Sequence, residues 1–172
     1  DVVRAGKIYG LTLSIDTLAV YFNREILNTA GIVNPPTTWR GLVEQASRLS
    51  LLDSQSNVVQ SAIGLGRADN VNHATDILSL LMLQNGTTMT DASGRTVQFQ
   101  RGSSDYSPGN RALEFFTDFA DPSKEVYSWS AEFTNALDNF IEGKVAYYLG
   151  TLGDRAEIAP VKSLEPAPSC GT

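Results

Sequence analysis

"GKIYGLTLSIDTLAVYFNREIL", Gly6 to Leu27, is the stretch on which the fold turns. Ile8, Leu11, Leu13, Ile15, Leu18 and Val20 are apolar, and the run reads as a buried strand, "KIYGLTLSI", leading into a short helix. Ser14, Asp16 and Thr17 sit among these residues. Asp16 therefore either caps the next element or faces a cleft where something is bound.

A second strand-like run, "KVAYYLG", lies far along the chain, with helical patterns between the two. That mixture predicts an α/β fold, helix-rich, with a small mixed sheet. "REILNTAGI" places Ile26, Leu27 and Ala30 on one face with Gly31 past the end, which predicts a short helix. "NPPTTWRGLVEQASRLS" restarts after two prolines with Thr38 as N-cap, and Trp39, Leu42, Val43, Ala46 and Leu49 recur at helical spacing.

"SAIGLGRADNVNHATDILSLLMLQNG" predicts a small-residue strand, a polar turn, and a helix apolar nearly all round, hence buried, before Gly86. Asp91 and Gly94 in "TDASGRTVQF" predict a surface hairpin. Ser107-Pro108 and Asp121-Pro122 bracket another helix. Phe133, Ala136, Leu137, Phe140 and Ile141 give one more, ended by Gly143. "APVKSLEPAPSCGT" has three prolines and no apolar period, so residues 159–172 are expected to be a Pro-rich tail.

The chain has 172 residues with a formal net charge of -6, and no Lys or Arg run forms a basic stripe. Nucleic acid is therefore not expected as a partner. A single cysteine rules out an intrachain disulfide and a Cys-based metal site, and no cofactor or metal is expected. "ILSLLMLQNG" is too short to span a bilayer. The start, "DVVRAGKIYG", reads like the interior of a longer protein.

The chemistry-bearing patterns are sparse. His73, the single histidine, falls in the first turn of the apolar helix, where a hydrogen-bonded structural role is the ordinary one, and no Gly-x-Ser-x-Gly elbow accompanies it. "GLGRAD" lacks the third glycine of a dinucleotide fingerprint, and "DNVN" lacks the glycine and glutamate of a calcium loop. Asp16, Asp69, Asp76 and Asp154 are possible members of a carboxylate pair, although Asp69, Asp76 and Asp154 also suit helix starts or helix surfaces. Trp129 suits either a helix staple or a platform for a sugar face, whereas Trp39 opens an apolar stripe and reads as core. One of Tyr147 and Tyr148 is expected to point away from the covered face of the sheet.

Two segments, in this order, resemble the extracellular solute-binding protein family 1 of ABC importers, which includes maltodextrin-binding proteins. "GKIYGLTLSIDTLAVYFNREILNTAGIVNPPTTWRGLVEQASRL" is similar to the crossover strand, "YN" helix and "PP.TW.EL" helix of that family. "ALDNFIEGKVAYYLGTLGD" is similar to its "F..GK.AM...G" segment, and the resemblance runs from about Gly6 to Ile158.

The resemblance implies a type II periplasmic-binding-protein-like lobe: residues 1–22 a crossover and hinge, and 23–158 the second of two lobes that close on a solute. It implies a non-enzymatic, extracytoplasmic protein, soluble or tethered as a lipoprotein, that binds a small solute such as a sugar or oligosaccharide and serves a transporter permease. It implies that Asp16 hydrogen-bonds a sugar hydroxyl, with Ser14 and Thr17 beside it. Asp69, Asn70 and Asn72 fall on a ligand-facing loop, as do Thr151, Gly153 and Asp154. Leu152 and Gly153 stand where maltodextrin relatives place a stacking tryptophan, so Trp129 is the expected platform. Two other readings follow from the residues: a glycan hydrolase using Asp16 and Asp154, or a lobe that folds without binding.

Overall fold

The computed structural model describes residues 2–4, 6–102 and 107–159. All but the first residue of the expected Pro-rich tail, including Cys170, lies outside them. The framework is a sheet ordered β3-β6-β5-β4, built from β3 (Leu18–Phe22), β4 (Leu51–Leu52), β5 (Val58–Ile63) and β6 (Val145–Thr151). β6 pairs antiparallel with β3 and parallel with β5, so the sheet is mixed, as expected. A separate two-stranded ribbon joins β1 (Val3–Arg4) to β2 (Lys7–Ile8).

The helices are α1 (Arg24–Thr29), α2 (Trp39–Leu49), α3 (Ala74–Gln84), α4 (Pro108–Asp118), α5 (Ala136–Ile141) and α6 (Arg155–Ile158). Their starts follow the expected chemistry. The Asn23 side chain accepts the Glu25 N–H at 3.1 Å and the Thr38 hydroxyl accepts the Gly41 N–H at 3.1 Å, each cap being worth about 1 kcal/mol. Gly31 takes φ +67° just past α1, where a side chain would be strained.

Four expectations are corrected. The first strand is not Lys7–Ile15 but the short β2 and, after a gap, β3. Residues 9–17 carry no regular structure, because alternation alone does not make a strand and no neighbouring strand hydrogen-bonds to them. The last long helix is only α5, with Phe133 in the loop before it, since Asn135 caps the helix by accepting the Asp138 N–H at 2.9 Å. α3 buries Ile77, Leu81 and Met82 but leaves Leu83 exposed, so it is a one-sided helix packed on α4. The hairpin at residues 90–99 is a single Thr90–Val97 bridge around a turn held by the Asp91 carboxylate.

β6 is buried along nearly its whole length, as befits a central strand covered on both faces. Tyr147 and Tyr148 point to opposite faces, yet both are buried. Tyr147 reaches Gln45 of α2 at 2.5 Å, while Tyr148 packs on Phe140 of α5 with ring centroids 5.7 Å apart. The expectation that one tyrosine faces away from cover fails because helices cover both faces. Burial pushes the Tyr147 phenol up to about 12.

Candidate functional site

The register that pairs Leu18 with Thr151 brings the segment entering β3 against the loop leaving β6. Asp16 lies two residues before that pair. Its Oδ1 accepts the Thr17 N–H at 2.8 Å and, across the chain, the Leu152 N–H at 3.3 Å. Asp16 is thus a clamp between two segments at one end of the sheet, with its side chain in solvent. Ser14, Thr17, Leu152 and Gly153 are exposed beside it in sequence, and Thr151 is half-buried.

Asp154 lies beneath this clamp. It opens α6 but makes no side-chain cap. The side chain turns back, and its Oδ2 accepts the Thr151 N–H at 2.8 Å, the Tyr148 hydroxyl at 2.9 Å and a bond from His73 Nε2 at 3.0 Å. An ionised carboxylate can only accept, so His73 carries its proton on Nε2 in this bond. The helix-start reading of Asp154 is corrected accordingly: the acid is used inward, to fix the loop. Tyr21 adds a further tie, donating to the Thr151 carbonyl at 2.7 Å. Gly150 is small because a Cβ there would overlap both the Tyr148 ring and the Asp154 carboxylate.

Burial raises the Tyr148 phenol, and the Asp154 carboxylate beside it raises it further. Tyr21 is raised chiefly by burial, then by Asp154. Both phenols therefore stay protonated as donors at neutral pH. Tyr148, His73, Tyr21 and Gly150 were not among the expected site residues. Adjacency in "KVAYYLGTLGD" is the one sequence signal that pointed toward them.

The loop at residues 67–72 divides in two. Asp69 is exposed and takes a two-pronged bond from Arg67, at 3.0 and 2.8 Å, which holds its carboxyl below the usual range. Asn70 is buried, and its amide donates to the carbonyls of Ser130 at 2.9 Å and Phe133 at 3.0 Å while its oxygen accepts Trp129 Nε1 at 2.8 Å. Asn72 accepts the Leu137 N–H at 3.0 Å in the first turn of α5. Asn70 is therefore structural: both amide hydrogens are committed to the protein's own backbone.

Trp129 offers no platform. It has no exposed surface, stacks on Phe133 with centroids 4.4 Å apart and an 8° interplanar angle, and gives its N–H to Asn70. The staple alternative is the one realised, because the indole fills the space beside Gly64 and Ala136. Trp39, expected in the core, is half-buried, edge-on to Phe115 at 5.6 Å with its N–H on Gln84 at 2.7 Å.

A family model described as bacterial extracellular solute-binding protein matches residues 2–166. The chain belongs to the bacterial extracellular solute-binding proteins. Among the family's curated members, binding proteins of Brucella abortus and Brucella suis are 35% identical over 51 residues, which is 30% of this chain and 12% of theirs. Solved solute-binding proteins share the fold. An ABC transporter solute-binding protein of Thermotoga lettingae, bound with α-D-tagatose, aligns at TM-score 0.68 and 21% identity over 93% of this chain and 39% of its own.

UgpB of Mycobacterium tuberculosis, in complex with glycerophosphocholine, aligns at 0.65 and 17% identity over 98% and 40%. The maltose-maltodextrin binding protein of Alicyclobacillus acidocaldarius aligns at 0.60 and 17% identity over 93% and 37%. This solute-binding chain spans about two fifths of those proteins, and its fold is the α/β, type II periplasmic-binding class expected from the sequence. No helix among the described residues is long and apolar enough to cross a membrane.

Proposed function

We propose that the chain is a solute-binding part of an ABC import system, holding a sugar or oligosaccharide in a cleft between two lobes without breaking a bond. Residues 1–22 act as crossover and hinge, residues 23–158 as the second lobe, and a permease receives the solute on the extracytoplasmic side. The observation that carries this reading is the Asp16–Leu152 bond, which draws the crossover segment and the loop after β6 to one end of the sheet. Family membership and the sugars named for two solved relatives support it.

Within this reading Ser14, Asp16, Thr17, Thr151 and Gly153 contact the solute, and Asp69 offers a carboxylate from the neighbouring loop. Asp154 holds that surface from behind. A role for Asp154 as the proton-transferring partner of Asp16 in a glycan hydrolase is disfavoured, because three donors already converge on its Oδ2.

Calorimetric titration with D-tagatose, maltose and glycerophosphocholine, alone and after Asp16→Asn, tests the reading. Saturable binding of a sugar that weakens about tenfold in the variant, at unchanged melting temperature, is the expected result, since a bond to a charged group is worth about 1.5–3 kcal/mol. Equal affinity in the variant, or heat from none of the solutes, would overturn the assignment. Turnover of a chromogenic glycoside would restore the hydrolase.

A further inference from the structure

Tyr9, Leu11, Leu13 and Ile15 alternate with Gly10, Thr12, Ser14 and Asp16, and they are 72%, 84%, 99% and 88% exposed. Such alternation puts four apolar side chains on one side of an extended chain. Ordinary exposed leucines are scattered singly, whereas these are consecutive on one face. The segment runs without a turn into β3, which is the outer strand of its sheet.

β3 also lacks edge protection. "YGLTLSIDTLAVYF", residues 9–22, contains no proline and no lysine, and Asp16 is its single charged residue. Val20 on β3 is 44% exposed. The outer side of β3 therefore presents backbone donors and acceptors beside an apolar, extension-prone segment of the same polypeptide.

We infer that residues 9–22 are a self-association surface, whose partner is a second copy of this chain paired antiparallel along β3 about a two-fold axis. A two-fold is the closing solution, because an antiparallel edge is complementary to itself, and it joins two four-stranded sheets into one. The segment cannot fold back on β3 within one chain, since it continues directly into it. Its four side chains supply about 400 Å² of apolar surface per copy, hence about 800 Å² in a pair. Backbone pairing along β3 brings the total to the roughly 1,000 Å² a specific interface requires. This surface is separate from the solute reading and goes beyond it.

The test is sedimentation of the chain over a concentration series, with Leu11→Lys/Leu13→Lys as the breaking variant and Val97→Lys, on an exposed residue elsewhere, as control. The expected masses are twice 18.6 kDa for the unaltered chain and the control, and 18.6 kDa for the double variant. Amide exchange should show residues 9–22 protected in the pair and unprotected in the variant. A monomer at every concentration, a pair that survives the double variant, or open-ended polymers in place of a closed pair would each overturn the inference.

Discussion

His73 and Asp154, 81 residues apart, meet at 3.0 Å between the start of α3 and the loop after β6. The histidine sits at φ +57°, a left-handed conformation rare outside glycine, asparagine and aspartate, and the bond to Asp154 lies where that backbone is held. The solute-contacting loop is thus anchored to a helix terminus by one side chain.

Asp154→Ala should cost about 2–3 kcal/mol, because it leaves the buried Tyr148 hydroxyl without its acceptor, while Tyr148→Phe should cost about 1 kcal/mol. Urea denaturation of both single variants and the double variant checks this. Strictly additive losses would show that the pair is not coupled.

Trp129→Phe should destabilise by about 2 kcal/mol, since it removes buried volume and strands the Asn70 oxygen, yet leave solute affinity unchanged. Thermal melts and calorimetry on the same preparation separate the two effects. Acrylamide should quench Trp39 and leave the Trp129 emission almost untouched.

The Asp91 carboxyl is held down to about 2, first by the Ser93 hydroxyl and then by the Arg95 and Thr96 backbone N–H groups. A depressed folded value means that the turn is favoured above the unfolded value of about 3.8. That contribution is lost as pH falls from about 4 through about 2. Amide shifts of Arg95 and Thr96 followed by NMR should titrate near 2, and a midpoint near 4 would refute the bonding described.

At the alkaline end the sign reverses in form. Tyr147 is raised to about 12 by burial, so its neutral form favours the folded state. Stability from this group is full below about 10 and lost as pH rises through about 12. Ultraviolet titration should show exposed Tyr9 ionising early and Tyr147 and Tyr148 late, with unfolding accompanying the late phase. A single early phase for all tyrosines at intact far-ultraviolet circular dichroism would contradict it.

Much of the helical architecture was readable from local chemistry. Thr38, Asn23, Pro108 and Gly31 mark their helix ends because capping depends on neighbours a few residues away. Residues 9–17 misled, because alternation reports a preference for extension but not whether a pairing strand is present. Asp16 and the loop at 151–154 were legible through the resemblance. His73, Tyr148 and the true tasks of Asn70 and Trp129 were not, because each is defined by contacts dozens of residues away. Trp129 in particular had two physically sound uses, and only the space beside Gly64 decides between them.

The central position of β6 has a consequence for how the chain comes together. Tyr21 and Thr151 are bonded across 130 residues, so β3 and β5 wait for a strand that is synthesised long after them. Until residue 151 is available, the two flanking strands have no middle, and the sheet has no nucleus to close upon. Long-range pairing of this kind slows folding and keeps the growing polypeptide loose. For a member of an extracellular family, such lateness suits passage through a membrane as an open thread, with the final strand acting as the closing stitch on the far side.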